Sequence, residues 1–177
     1  IPPFFVKNAA QLLDGSSINV ATVIGFPMGY SATAAKVEEI KRGIDDNLHE
    51  IDAVINIAAA KNANWNYVKN DIYSMVMSGQ LKGKKVKIIL ETGLLTEEEI
   101  LCEICSEIGP DFVKTSTGFN GEGATVEVVR LLRKNLPEEI KIKASGGIRT
   151  KEEAIRLIEA GANRLGSSSG VMIVNEL

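Results

Sequence analysis

Two lysines interrupt apolar runs that read as buried strands. They are Lys114 in Phe-Val-Lys-Thr-Ser-Thr-Gly (residues 112–118) and Lys143 in Lys-Ala-Ser-Gly-Gly-Ile-Arg (residues 143–149). Each stands late in its run and is followed by small hydroxyl residues and glycine. A lysine in such a place is costly unless its charge is used or suppressed. A free lysine amine is almost wholly protonated at neutral pH and is a poor nucleophile, whereas burial and a neighbouring ammonium both favour the neutral form. Two lysines on neighbouring strand ends therefore point to a nucleophilic, Schiff-base-forming amine. Carbonyl attack, dehydration to an iminium and deprotonation to an enamine all need a proton shuttle, for which Asp52, in Ile51-Asp-Ala-Val54, is the candidate carboxylate. Period-two alternation groups Phe112, Lys114 and Ser116, then Lys141, Lys143 and Ser145, then Asp52, Val54 and Asn56, and lets all three sets face into a barrel. The competing reading is three solvated charges at strand ends, and the apolar flanks weigh against it. Glu91, at the end of another strand, is expected to serve at most as a polar neighbour of the site.

The glycines suggest a phosphate. Gly146-Gly147 follow the second lysine strand, and Gly166-Ser-Ser-Ser-Gly170 follow the last strand and open a short helix. Phosphate sites in β/α barrels are built from the last two strand loops and a short extra helix. Glycine admits backbone N–H groups to the oxygens, serine adds hydroxyl donors, and Arg149 either adds charge or is a solvated loop residue. Either glycine run alone would be an ordinary turn.

The elements that must position these residues alternate strictly. Strands are expected at 18–25, 50–58, 85–91, 111–117, 140–145 and 163–167, with helices at 31–47, 63–80, 97–108, 125–135, 151–161 and 168–175. A further helix at 4–14 carries Phe5, Ala9, Leu12 and Leu13 on one face, and the 31–47 helix carries Ala34, Val37, Ile40, Lys41 and Ile44. Thr96-x-x-Glu99 and Thr150-x-x-Glu153 are capping-box patterns, and Gly161 is a C′ glycine. Near-continuous apolar strands alternating with helices mean a parallel sheet covered by helices. An open doubly wound sheet and a β/α barrel both fit. Candidate residues spread over several strand ends favour a TIM-type (β/α)8 barrel, of which only about six of about eight strands are present in this chain. With no linker or composition shift, residues 1–177 read as a single, incomplete barrel domain.

Composition excludes several classes. There are 20 basic and 23 acidic residues, a net charge of −3, and no basic block or aromatic-basic stripe, so nucleic acid is not an expected partner. No apolar stretch is long enough to span a bilayer, and the Ile-Pro-Pro-Phe-Phe start is unlike a signal peptide, so a cytoplasmic protein is the expectation. Cys102 and Cys105 form a Cys-x-x-Cys that could be redox-active or metal-binding, but no second pair completes a zinc site and the single histidine is His49. Placed mid-helix, unlike thioredoxin-type motifs, the two cysteines are expected in the core. His49 is expected at the surface, and Trp65 and Tyr67 in packing roles.

In order and spacing, the motifs Val20-Ala-Thr-Val-Ile-Gly-Phe-Pro-Met-Gly29, Ile51-Asp-Ala-Val-Ile-Asn-Ile57, Ile89-Leu-Glu-Thr-Gly93, Asp111-Phe-Val-Lys-Thr-Ser-Thr-Gly-Phe119, Gly123-Ala-Thr-Val126 and Lys143-Ala-Ser-Gly-Gly-Ile-Arg-Thr150 resemble those of the deoxyribose-phosphate aldolases, from near Pro3 to the C-terminus. The resemblance implies a class I aldolase that reversibly splits 2-deoxy-D-ribose 5-phosphate into D-glyceraldehyde 3-phosphate and acetaldehyde, with no metal or other cofactor. It implies Lys114 as the Schiff-base lysine, Lys143 as the second lysine that keeps Lys114 unprotonated and moves protons, and Asp52 as the proton-relay carboxylate. Gly146, Gly147, Gly166, Ser168 and Ser169 would cradle the phosphate. A homodimer is the implied assembly, though no interface is legible. The resemblance begins past the second strand of the family pattern, where many members carry an active-site cysteine that is absent here. A barrel of these strands alone would leave open edges. Two further readings stay open. One is a shortened, inactive barrel fragment that binds a phosphate ligand. The other is a different barrel lyase or isomerase sharing the phosphate site, which need not possess two strand-end lysines and Asp52.

Overall fold

The computed structural model describes residues 1–96 and 101–175. They fall into two compact units, Ile1–Ile88 and Ile89–Leu177.

The first unit contains α1 (Val6–Leu12), β1 (Ala21–Ile24), α2 (Thr33–Asp45), β2 (Glu50–Val54), α3 (Ile57–Lys61), α4 (Trp65–Gln80) and β3 (Lys85–Ile89), the last of which ends at the division. β1 and β2 pair in parallel with Val23 opposite Asp52 and Ala21 opposite Glu50, and β3 follows β2 in the sheet. Every residue of β2 is buried, as expected of a parallel strand covered on both faces. α4 backs onto this sheet at Gly79, where a Cβ would collide with Val86 and lie 2.8 Å from Ile51 Cδ1.

Several expectations shift here. β2 stops at Val54, because Asn56 turns the chain by capping α3, its Oδ1 accepting the Ala59 N–H at 2.9 Å. Asn56 therefore leaves the strand face shared by Asp52 and Val54. α2 buries Lys36, Ile40 and Gly43 rather than the stripe through Ala34 and Lys41, because Lys36 reaches an inward acceptor set. Its Nζ lies 2.7 Å from Asp71 Oδ2 and 2.9 Å from the Val54 carbonyl. On α1 only Val6 is buried, and Phe5 and Leu12 are exposed.

The second unit contains α5 (Cys102–Ile108), β4 (Phe112–Lys114), α6 (Val126–Asn135), β5 (Lys141–Ser145), α7 (Lys151–Glu159), β6 (Arg164–Gly166) and α8 (Gly170–Asn175). The strands are parallel and adjacent in chain order. α7 has both expected ends. Thr150 and Glu153 form a reciprocal capping box. At the other end, the Gly161 N–H donates to Ile158 and the Ala162 N–H to Leu157, a Schellman arrangement with Gly161 at φ +115°. The Thr96-x-x-Glu99 pattern lies outside the described residues beyond Thr96, as do residues 97–100 of the helix expected there.

α5 begins at Cys102, with Leu101 as its N-cap residue. The cysteine pair thus opens the described helix instead of sitting in its middle. Both thiols are nevertheless buried, and burial, more than the neighbouring Glu103 and Cys102 respectively, pushes Cys102 up to about 11 and Cys105 up to about 12. A buried thiol held neutral is a packing residue, not a redox nucleophile.

Candidate active site

In the second unit the two strand lysines are register partners: Lys114 on β4 stands opposite Lys143 on β5. Neighbouring strands run about 4.8 Å apart and paired residues share a face, so the two side chains leave the same face of the sheet side by side. Lys114 is 7% exposed and Lys143 half-buried. Arg164 on β6 is the register partner of Lys143, and its guanidinium carbon lies 4.7 Å from the centre of the Phe112 ring. The sheet therefore carries a row of three cationic residues, the third stacked on an aromatic face as guanidinium groups favour. Sequence reasoning did not single out Arg164.

Backbone and hydroxyl contacts fix the ends of the lysine strands. The Leu90 N–H donates to the Lys114 carbonyl at 3.0 Å, and the Thr115 N–H donates to the Lys143 carbonyl at 3.1 Å. Thr115 Oγ1 donates to the Ser145 carbonyl and accepts the Ser145 N–H, both at 3.1 Å, while Ser145 Oγ donates to the Ser116 carbonyl at 2.6 Å. The hydroxyl residues after each lysine thus stitch β4 to β5 just where the amines leave the sheet.

Glu91 does more than the sequence suggested. It is fully buried in the left-handed backbone region, φ +60°, which a non-glycine residue rarely adopts. Its carboxylate accepts the Thr117 N–H at 3.1 Å, the Thr117 hydroxyl, and the Asn120 side-chain amide at 3.2 Å. One carboxylate thereby anchors the loop that follows Lys114.

The glycines divide by role. Gly146 (φ +89°) packs against the chain at Gly118 and Gly123, and a Cβ at Gly123 would collide with the Gly146 carbonyl. The Ala124 N–H closes this contact by donating to Ser145 and Gly146 carbonyls at 3.1 Å. Gly147 is exposed, with open space above it. Gly166 lies beneath the second lysine, where an added Cβ would sit 3.3 Å from Lys143 Cε and 3.0 Å from Ser145 Cβ. Ser167 joins the two candidate phosphate loops by donating to the Ile148 carbonyl at 2.6 Å and accepting the Ser169 N–H at 2.9 Å. Ser168 is exposed and Ser169 half-buried, on the loop just before α8. The exposed Arg149 gives its backbone N–H to Glu153 at 2.8 Å, and this bond with that of Thr150 holds the Glu153 carboxyl below the usual carboxylate range.

In the first unit Asp52 is buried on β2, and its Oδ1 lies 2.7 Å from Lys87 Nζ. The same ammonium is 2.7 Å from Glu50 Oε2 and has no exposed surface. Sequence reasoning missed Lys87, although Lys85-Val-Lys87-Ile-Ile carries the same signal as Lys114, a lysine within an apolar strand. His49 is exposed, its Nδ1 accepting the Val20 N–H at 3.0 Å, and Trp65 and Tyr67 are half-buried on α4.

Residues 3–174 match the DeoC/LacD family aldolase model. The chain is 53% identical over 178 residues to a deoxyribose-phosphate aldolase of Thermococcus kodakarensis, covering 98% of this chain and 80% of that protein. It is 50% identical over 176 residues to one of Desulfitobacterium hafniense, covering 98% and 81%. Among solved structures, a tetrameric deoxyribose phosphate aldolase of Aeropyrum pernix superposes with a TM-score of 0.90 at 28% identity, covering 99% of this chain and 74% of that one. The fold is thus of the expected TIM-type β/α class, with six strands among the described residues.

Proposed function

The chain belongs to the DeoC/LacD aldolase family, and from that premise we propose how its residues perform the family's chemistry. It is a lyase that reversibly cleaves 2-deoxy-D-ribose 5-phosphate to D-glyceraldehyde 3-phosphate and acetaldehyde. The observation that carries the mechanism is the register pairing of Lys114 with Lys143.

Lys114 Nζ adds to C1 of the open-chain sugar, and loss of water from the carbinolamine leaves an iminium. The C3 hydroxyl gives up its proton, the C2–C3 bond breaks, and its electron pair flows into the iminium to form an enamine. Glyceraldehyde 3-phosphate leaves with C3 as its aldehyde carbon. The enamine is protonated at C2, and water hydrolyses the resulting imine to acetaldehyde and free Lys114. Lys143 and Asp52 are assigned the proton transfers, Lys143 as the neighbouring amine and Asp52 by its place in the family motif. Gly146, Gly147, Gly166, Ser168 and Ser169 are assigned to the phosphate. Supporting this, Ser167 ties the two loops together and Gly147 offers an unobstructed backbone. Gly166 also makes room beneath Lys143.

The family, together with the absence among the described residues of any helix long and apolar enough to cross a membrane, supports a cytoplasmic location. A homodimer is the proposed assembly. The test is reductive trapping: the protein incubated with acetaldehyde and borohydride acquires an alkyl adduct on Lys114, read by peptide mass spectrometry. An adduct-free Lys114 overturns the mechanism.

A further inference from the structure

The loop assigned to the substrate phosphate is made of two glycines in the left-handed region, Gly146 at φ +89° and Gly147 at φ +78°. Glycine has no side chain to hold such a backbone in place, and it has the most conformational freedom to lose. A backbone site of this kind binds an anion well only when its surroundings fix it beforehand. Gly147 has open space around it, so the loop is held from its two sides. On one side Ser167 Oγ donates to the Ile148 carbonyl at 2.6 Å. On the other side stands Gly146.

Gly146 is gripped by the segment that follows the Schiff-base strand. This segment meets Gly146 twice. A Cβ at Gly118 would lie 3.9 Å from Gly146 Cα, and one at Gly123 would lie 2.2 Å from the Gly146 carbonyl oxygen. The Ala124 N–H then donates to the Gly146 carbonyl at 3.1 Å. Between these two contacts the segment is tied to Glu91. The Glu91 carboxylate accepts the Thr117 N–H at 3.1 Å, the Thr117 hydroxyl and the Asn120 side-chain amide at 3.2 Å. Glu91 holds a left-handed backbone, φ +60°, to make these bonds, and its side chain has no exposed surface. It therefore acts on a ligand only through the segment it holds.

On the phosphate assignment given above, we propose that Glu91 is a positioning residue for the Gly146-Gly147 loop. Its carboxylate sets residues 117–124, and through their grip on Gly146 it fixes the backbone that receives the phosphate. Glu91 would thus govern how strongly the protein prefers a phosphorylated sugar, while the chemistry at Lys114 goes on without it.

The test is Glu91→Gln, which keeps the shape but turns an amide toward donors. KM for 2-deoxyribose 5-phosphate is expected to rise about tenfold with kcat held, the effect of losing one or two hydrogen bonds to a charged group. Competitive inhibition by inorganic phosphate weakens by the same factor. Cleavage of unphosphorylated 2-deoxyribose and borohydride trapping of acetaldehyde on Lys114 keep their unsubstituted rates. Asn120→Ala, which removes only one of the bonds, moves the same readings by about threefold and serves if the first variant does not fold. Unchanged KM and phosphate inhibition overturn the proposal. So does an equal loss with both sugars, which marks a structural role or an effect on Lys114. If inorganic phosphate does not compete in the unsubstituted protein, the phosphate assignment itself fails, and this proposal fails with it.

Discussion

Lys87 holds Asp52 and Glu50 together, its ammonium 2.7 Å from a carboxylate oxygen of each and with no exposed surface. The carboxylate proposed as proton relay is therefore part of a buried charge cluster, oriented by a cation on the next strand. Removing one partner of such a cluster is far more costly than never having built it. Lys87→Met is expected to destabilise the protein by about 3–5 kcal/mol, read from urea unfolding. A loss below about 1 kcal/mol would show that the two carboxylates tolerate each other without the lysine.

Gly166 tests how closely Lys143 must be placed. Alanine there brings a methyl group to 3.3 Å from Lys143 Cε and 3.0 Å from Ser145 Cβ, so the lysine stem must move. Misplacing a catalytic group by about 1 Å costs on the order of 100-fold in rate. Gly166→Ala is expected to lower kcat for deoxyribose phosphate cleavage by roughly 10- to 100-fold. Phosphate competition against the substrate separates this effect from a damaged phosphate site. An unchanged kcat with a raised KM would assign Gly166 to phosphate binding alone.

The cysteines predict an alkaline limit. Both thiols rise in the folded state from the ordinary 9.0, Cys102 to about 11 and Cys105 to about 12. Between about pH 9 and these values the unfolded chain has released protons that the folded chain retains, so stability falls as pH rises. Below about pH 9 both states hold the protons and the contribution is flat. Native protein at pH 8 is expected to resist iodoacetamide at both positions and to react once unfolded, followed by peptide mass. Rapid native alkylation would show that the α5 thiols are accessible.

How far the sequence reached is clearest at the lysines. Lys114 and Lys143 were legible because a charge in an apolar strand is costly and therefore conspicuous, and they stand in register. Lys87 obeys the same rule but lacks the second signal, since it is followed by Ile88-Ile89-Leu90 and not by small hydroxyl residues and glycine. Lys36 was hidden differently: helical periodicity favours Ala34 and Lys41, and only the fold reveals that Asp71 waits inside for Lys36. The early end of β2 turned on one cap by Asn56, a local hydrogen bond that competes with strand alternation. The left-handed backbone of Glu91 has no residue-type signature at all, since only its three hydrogen-bonded donors make that conformation worth holding.

The pair formed by Lys36 and Asp71 has a practical consequence. Its acceptors and donors are internal to the first unit: the Val54 carbonyl receives the ammonium, and Thr33 Oγ1 donates to Asp71 Oδ1 at 2.7 Å. None of these groups carries a proposed part in the reaction. Buried ion pairs of this kind can often be exchanged as a set for well-packed apolar residues without loss, and sometimes with a gain in heat tolerance. Lys36 and Asp71 together are thus a place to redesign this enzyme for harsher temperatures, provided that both are changed at once.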